Sequence, residues 1–331
     1  MEGEEAMEIH PSSGRKANLD IKIRPLLESD LSVADRIMRL AFGTFLGMPD
    51  PTAIMGDTDY IRTRWRADPE AAFGAEINGQ LVGSNFASHW GSVGFFGPLT
   101  IHPNRWDQGA GKRLMAPILD CFTRWGTKHS GLFTFAHSQK HVGLYQKFGF
   151  WPRFLTAIMS KPASQTARQR AWSKFSEVSR SEQEPVLQAC RQATDAIYEG
   201  LDVTLEMRNV ANQGLGDTVL LWDEGKLAGL AVCHYGGGTE AGSGNCYVKF
   251  GAVCPGPAAE QNFEQLLDAC EAMALEKSLS CLAAGVNTAR VGAYRVMLKR
   301  GFRTTIQGVA MQRPNEPGYN RADVYLIDDW R

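Results

Sequence analysis

A block of this chain recurs at a fixed distance. Pro103, Leu114, Lys147 and the pair Gly149-Phe150 are matched by Pro255, Leu266, Lys299 and Gly301-Phe302, each 152 residues further on (255 − 103 = 152). One unbroken spacing through a loop, a helix, a strand and a second helix points to two copies of one unit in tandem. Between these landmarks the copies diverge. The first reads W-D-Q-G-A-G-K-R-L over residues 106–114, the second A-A-E-Q-N-F-E-Q-L over 258–266, and Tyr145 is matched by Met297. One half keeps reactive groups and the other has exchanged them for ordinary ones.

A length of 331 residues suits two domains of ordinary size. With 44% apolar and 21% charged residues and a formal net charge of −1, the composition is that of a globular chain. It offers no basic field for nucleic acid or an anionic membrane, so neither is expected as a partner. The seven cysteines, Cys121, Cys190, Cys233, Cys246, Cys254, Cys270 and Cys281, are odd in number and lack paired short spacings. Free thiols are therefore expected, with no disulfide framework and no metal site. The acidic, polar start over residues 1–19 reads as a mobile tail rather than a secretion signal, no later run is long enough to cross a bilayer, and a cytoplasmic protein is expected.

Order begins at the strand I-K-I-R. A helix capped by Ser29 or Asp30 follows, with Ala34, Ile37, Met38 and Ala41 on one face. Asn78-Gly79 marks a hairpin, and G-S-V-G-F-F-G-P-L-T-I supplies another strand. Leu114, Ile118, Cys121, Phe122 and Trp125 form the sheet-facing stripe of the next helix, which Pro117 should bend. A strand through G-L-F-T-F-A-H, a short helix through V-G-L-Y-Q-K and a strand ending T-A-I-M complete the half. The second half repeats the order, with a hairpin at Glu224-Gly225 and a helix bearing Phe263, Leu266, Leu267, Cys270 and Met273. G-Q-L-V-G at Gly79 matches G-K-L-A-G at Gly225 at an offset of only 146 (225 − 79), so about six residues are inserted later, within the glycine-rich residues 236–244. The expected organisation is a tail (1–19), a first domain (20–162), a linker (163–182) and a second domain (183–331). Each domain is α/β, a mixed and mostly antiparallel sheet flanked by helices.

Gly109-Ala110-Gly111 follows a strand and opens a helix, where free N–H groups and the helix dipole favour phosphate oxygens and Lys112 and Arg113 add positive charge. The pattern also arises in ordinary turns, and G-x-G recurs at Gly214/Gly216 and Gly242/Gly244. A Rossmann loop would need glycine at Leu114 and a Walker loop glycine at Trp106.

Taken in order, V-G-F-F-G-P-L-T-I-H-P, the glycine loop, a strand and L-Y-Q-K-F-G-F resemble the GNAT acetyltransferase superfamily, closely over residues 20–162 and more weakly over 183–313. The resemblance implies two tandem GNAT-like domains with a degenerate second copy, and acetyl-CoA as cosubstrate. It implies that the main chain of Leu99, Thr100 and Ile101 pairs with the pantetheine arm and that the amides from Gln108 through Gly109, Ala110 and Gly111 to Lys112 bind the pyrophosphate. Tyr145 would lie near the thioester sulfur. Trp106 departs from the family's Gln/Arg position, with Arg105 one place out. A positioned phenol such as Tyr145 can protonate the departing thiolate. His89 and His137, at strand ends, are candidate bases. Phe86, Trp90, Phe95, Phe96, Phe133 and Phe135 make the region aromatic, as core or as a cradle for an apolar or cationic substrate. In the second copy Gln261 and Phe263 replace the loop glycines and Glu260 and Glu264 would repel phosphate. The expected activity is N-acyl transfer from acetyl-CoA to a small-molecule amine, by a monomer or homodimer. The alternative is an acyl-CoA sensor without turnover. The ending Y-L-I-D-D-W-R carries no functional reading.

Overall fold

The computed structural model describes residues 20–164 and 171–331; the tail expected over 1–19 lies outside them. The first copy contains β1 (Ile21–Pro25), α1 (Leu31–Phe45), α2 (Ile61–Ala67), β2 (Ala72–Ile77), β3 (Gln80–Trp90), β4 (Val93–Phe96), β5 (Thr100–Ile101), α3 (Ala110–Arg113), α4 (Met115–Trp125), β6 (His129–Thr134), α5 (Gln139–Gln146) and β7 (Trp151–Pro162). The second repeats the succession in β8 (Trp172–Lys174), α6 (Arg180–Asp195), α7 (Thr204–Gln213), β9 (Gly216–Asp223), β10 (Lys226–Gly236), β11 (Gly242–Val253), α8 (Ala259–Glu276), β12 (Cys281–Asn287), α9 (Val291–Lys299) and β13 (Arg303–Arg313), and adds β14 (Leu326–Ile327).

Local chemistry accounts for the punctuation. Asn78 and Gly79, at φ 50° and 77°, make the two-residue turn of β2 and β3, and Glu224 and Gly225, at 47° and 77°, make that of β9 and β10. Pro117 withholds the N–H that would reach the Arg113 carbonyl, and the helix divides at Leu114, between α3 and α4. The strand expected as one piece over G-S-V-G-F-F-G-P-L-T-I is broken at Gly97 and Pro98 into β4 and β5. Trp172–Lys174, expected within a linker, pairs with β9 as an outer strand.

The strands form one mixed sheet in the order β1-β2-β3-β4-β6-β13-β7-β12-β11-β10-β9-β8, antiparallel except at β4/β6 and β11/β12. Those two parallel pairings are in the same register: Val93 faces His129, and Asn245 faces Cys281, each residue 152 places after its counterpart. At the centre the copies exchange their last strands. β13 lies against β6 of the first copy, and β7 lies against β12 of the second. Val309 and Met311 of β13 consequently sit in the first copy's core with Ile118 and Phe122, while Ala157 and Met159 of β7 join Leu266 and Cys270 in the second's.

Charge also crosses the seam. Arg64 of α2 is buried and paired with Glu240 at 2.9 Å, Glu240 meets Lys249 at 3.1 Å, and Lys249 meets Glu206 at 3.0 Å. The inserted turn between β10 and β11 holds the first copy's segment between α1 and α2, through Ser243 N and Oγ donating to Asp57 at 2.8 and 2.5 Å.

Candidate active site

The cleft arises where β4 and β6 part. Their pairing lasts from Val93/His129 to Phe95/Gly131. Beyond Gly97 the chain stays on β3, where Thr100 faces Ser84 and Ile101 faces Gly83, but leaves β6, which keeps only β13 on its other side. A cavity of about 660 Å³ opens there. Leu99, Thr100 and Ile101 form one wall, Leu144 and Tyr145 another, Phe42 and Phe45 of α1 a third, and residues 109–112 the glycine-loop end.

The loop's shape follows from its residues. Gly109 adopts φ 92°, which glycine takes without strain, and from it the first turn of α3 begins with N–H groups that have no preceding carbonyl to bond. Trp106 takes a role different from a phosphate-reaching side chain. Its Nε1 donates to the Ile101 carbonyl at 2.7 Å, fastening the loop to the cleft strand, and Lys140 lies over its ring at 5.4 Å. Asp107 would oppose an anion, but Lys140 pairs with it at 2.8 Å. Arg105, Lys112, Lys140 and Lys147 all line the cavity, so that end is net positive.

Two of the expected cofactor side chains turn elsewhere. The Arg113 guanidinium donates to the carbonyl of Ile21 on β1, and the Gln108 amide donates to the Asn104 carbonyl at 3.3 Å. Neither side chain borders the cavity; Gln108 remains a candidate through its main chain.

Tyr145 borders the cavity and packs edge-on against Phe96, with ring centroids 5.6 Å apart. Burial raises its pKa, so the phenol keeps its proton at neutral pH. His89 does not border the cavity: its ring stacks on Trp125 of α4, with centroids 4.4 Å apart. His137 is exposed in the turn after β6, stacked on Phe45 at 5.6 Å, and lies outside the cavity wall. The histidine on the wall is His141. Its Nδ1 is 2.9 Å from Oγ of Ser138, the residue that caps α5. The sequence held a signal for it: His141 precedes Tyr145 by four places, which sets both on one helical face.

In the second copy the same cleft is filled by the chain itself. Gly251 and Ala252, 152 places after Leu99 and Thr100, pair with Ile327 and Leu326 of β14. Phe263, at the position of Gly111, is fully buried against Tyr325 with centroids 5.7 Å apart. The Tyr325 hydroxyl donates to Glu260 at 2.7 Å. Arg290, at the position of Ser138, is buried and paired with Asp328. The ending that looked featureless is thus an internal occupant of the second cleft.

Residues 37–150 match the acetyltransferase (GNAT) family. None of the curated proteins matches the chain in sequence. Among solved structures, a Pyrococcus horikoshii protein assigned to the acetyltransferases is similar over 98% of this chain and 99% of its own, with a TM-score of 0.66 at 13% identity. A GCN5-related N-acetyltransferase from Sphaerobacter thermophilus is similar over 90% and 96%, with a TM-score of 0.58 at 15% identity. A fungal multi-domain β-N-acetylglucosaminidase with a GCN5-related glucosamine N-acetyltransferase region is similar over 91% of this chain and 39% of its own, at 11% identity and a TM-score of 0.62. At such identities the likeness establishes the fold. Among the described residues no helix is long and apolar enough to cross a membrane.

Proposed function

We propose that the chain, whose residues 37–150 match the acetyltransferase (GNAT) family, is an acetyl-CoA-dependent N-acyltransferase whose single working site is the cleft of the first copy. The observation that carries this reading is the coincidence, around one cavity, of a glycine-opened helix start, a strand wall with an unpaired edge, and Tyr145. Main-chain amides of residues 108–112 would hold the pyrophosphate, with Lys112 adding charge. The edge of Leu99, Thr100 and Ile101 would take the pantetheine arm, as the matching edge in the second copy takes β14. An acceptor amine then attacks the thioester carbonyl directly, and Tyr145 delivers its proton to the leaving thiolate. Phe42 and Phe45 beside Tyr145 suit a small acceptor with an apolar body. The repeated order of elements supports two units, the second beginning at β8 inside the expected linker 163–182 rather than at 183, completing the sheet and closing its own cleft. A cytoplasmic site of action is part of the same reading.

Calorimetry with acetyl-CoA and a thiol-release assay across amino acids, polyamines, aminoglycosides and arylalkylamines test the proposal. Binding with amine-dependent CoA release is the expected result. Binding with no release for any amine would turn the reading to a sensor, and no binding would refute it.

A further inference from the structure

Direct transfer needs a group to receive the proton that the attacking nitrogen sheds, and neither expected histidine borders the cavity. We propose that His141 is that proton acceptor, its Nε2 taking the proton as the carbon–nitrogen bond forms. The inference rests on the acyl-transfer reading above.

The placement is specific. His141 is half-buried, borders the cavity, and stands one helical turn before Tyr145 on the same face of α5. Ser138 fixes its orientation. In the tautomer whose Nδ1–H donates to Ser138 Oγ, at 2.9 Å, the Nε2 lone pair is left for an incoming donor. Phe45 packs against the ring from α1, with centroids 5.1 Å apart, and limits its rotation. The charged and titratable neighbours are Lys140 and Tyr145 on the same helix and His137 in the preceding turn. Burial first, then Lys140 and His137, lower the His141 pKa, so the imidazole is neutral and able to accept at neutral pH.

The protons balance. The amine nitrogen bonds the thioester carbon, the carbon–sulfur bond breaks with its electron pair on sulfur, one N–H proton goes to His141 Nε2, and the Tyr145 proton goes to the thiolate. The His141 imidazolium then returns a proton to the Tyr145 phenolate through solvent, which restores both groups and leaves amide and thiol. In water-driven turnover, hydrolysis of acetyl-CoA, the same nitrogen would take a proton from the attacking water.

The test uses the full chain and saturating acetyl-CoA, with water alone and with benzylamine, spermidine or L-leucine as acceptor, comparing wild type with His141→Ala and His141→Gln. Calorimetry should give an acetyl-CoA affinity unchanged within about twofold, because no binding contact is removed. CoA release should fall about a hundredfold in both variants, the scale of a lost general base. The limb of kcat below pH 6.5 should disappear from both, and added imidazole should restore part of the rate of His141→Ala alone. Unchanged release, or a fall that follows a loss of affinity, would overturn the assignment. A wild type that binds acetyl-CoA but releases no CoA above the blank also overturns it, while one that does not bind acetyl-CoA refutes the acyl-transfer function itself.

Discussion

Thr156 and Gly308 face each other across the β7/β13 ladder, and each is the other's counterpart, 152 residues apart (308 − 156). On either side Leu155 pairs with Val309 and Ala157 with Gln307, the pattern of a two-fold interface between identical subunits, made here within one chain. β6 therefore has β4 of its own copy on one side and gets its other neighbour, β13, from the second copy. A fragment ending at residue 164 would bare that edge and lose Val309 and Met311 from its core, at roughly 2 to 3 kcal/mol each. It should be insoluble when expressed alone and recovered as a soluble complex when co-expressed with residues 171–331. A soluble fragment with a cooperative melt of its own would show that the exchange is dispensable.

The glycine at 111 gives a cleaner handle on the cofactor than the one at 109. A Cβ at Gly111 would meet its nearest neighbours, Ile101 and Leu144, at 3.7 and 3.9 Å, which is ordinary contact. Gly109 at φ 92° would be strained by any side chain. Gly111→Glu should therefore melt like wild type yet lose acetyl-CoA binding, whereas Lys112→Ala should weaken it by about 1 kcal/mol, one charge-assisted contact. Equal affinity of wild type and Gly111→Glu by calorimetry would remove the loop from the site.

The repeat, the two hairpins and the position of Tyr145 were readable because each rests on local chemistry or on an offset that survives divergence. Which partner β7 and β13 choose was not readable. They are equivalent strands, and only the exchange of tertiary contacts decides between own and opposite neighbour. β14 was hidden because two paired residues, Leu326 and Ile327, carry no period. His89 misled because the end of a strand says nothing of which face the ring takes, and Trp125 claims it from the helix side. His141 was overlooked although its spacing from Tyr145 was in view, since a histidine on a short helix differs in nothing local from a surface one.

Tyr145→Phe removes one proton and one oxygen from a ring whose packing on Phe96 is unaffected. Acetyl-CoA affinity and melting temperature should stay at wild-type values while kcat falls about a hundredfold. An unchanged kcat with a competent acceptor would reduce Tyr145 to a core residue.

Burial would raise the pKa of Glu206, but Lys249 and the neighbouring His234 outweigh it and hold it down to about 2, from an ordinary 4.5. Because the folded value is depressed, the stability it contributes is fully present above pH 4.5 and is lost as pH falls from there through about 2. Lys249→Met leaves Glu206 and Glu240 short of a buried partner, and should cost about 3 to 5 kcal/mol at pH 7. Its melting temperature should then improve relative to wild type as the pH is lowered below 4.5. Parallel pH curves for the two proteins would show that the lysine contributes no charge compensation.

The second cleft bears on stoichiometry. Gly251 and Ala252 already pair with β14, so the strand edge that the first copy leaves free is satisfied by the chain's own residues. Phe263 fills the position that Gly111 holds in the proposed phosphate loop, and Glu260, held by Tyr325, would add like charge beside a phosphate there. The three adjoin at Tyr325, which packs on Phe263, donates to Glu260 and precedes β14, and Phe263→Gly removes only the first of them. Phe263→Gly should accordingly lose stability, by about 3 to 5 kcal/mol for a buried aromatic, and gain no ligand. Acetyl-CoA should titrate to one equivalent per chain in both wild type and this variant, with Gly111→Glu abolishing the binding in each. Two equivalents in the wild type, or residual binding after Gly111→Glu, would mean that β14 leaves the second cleft to make room.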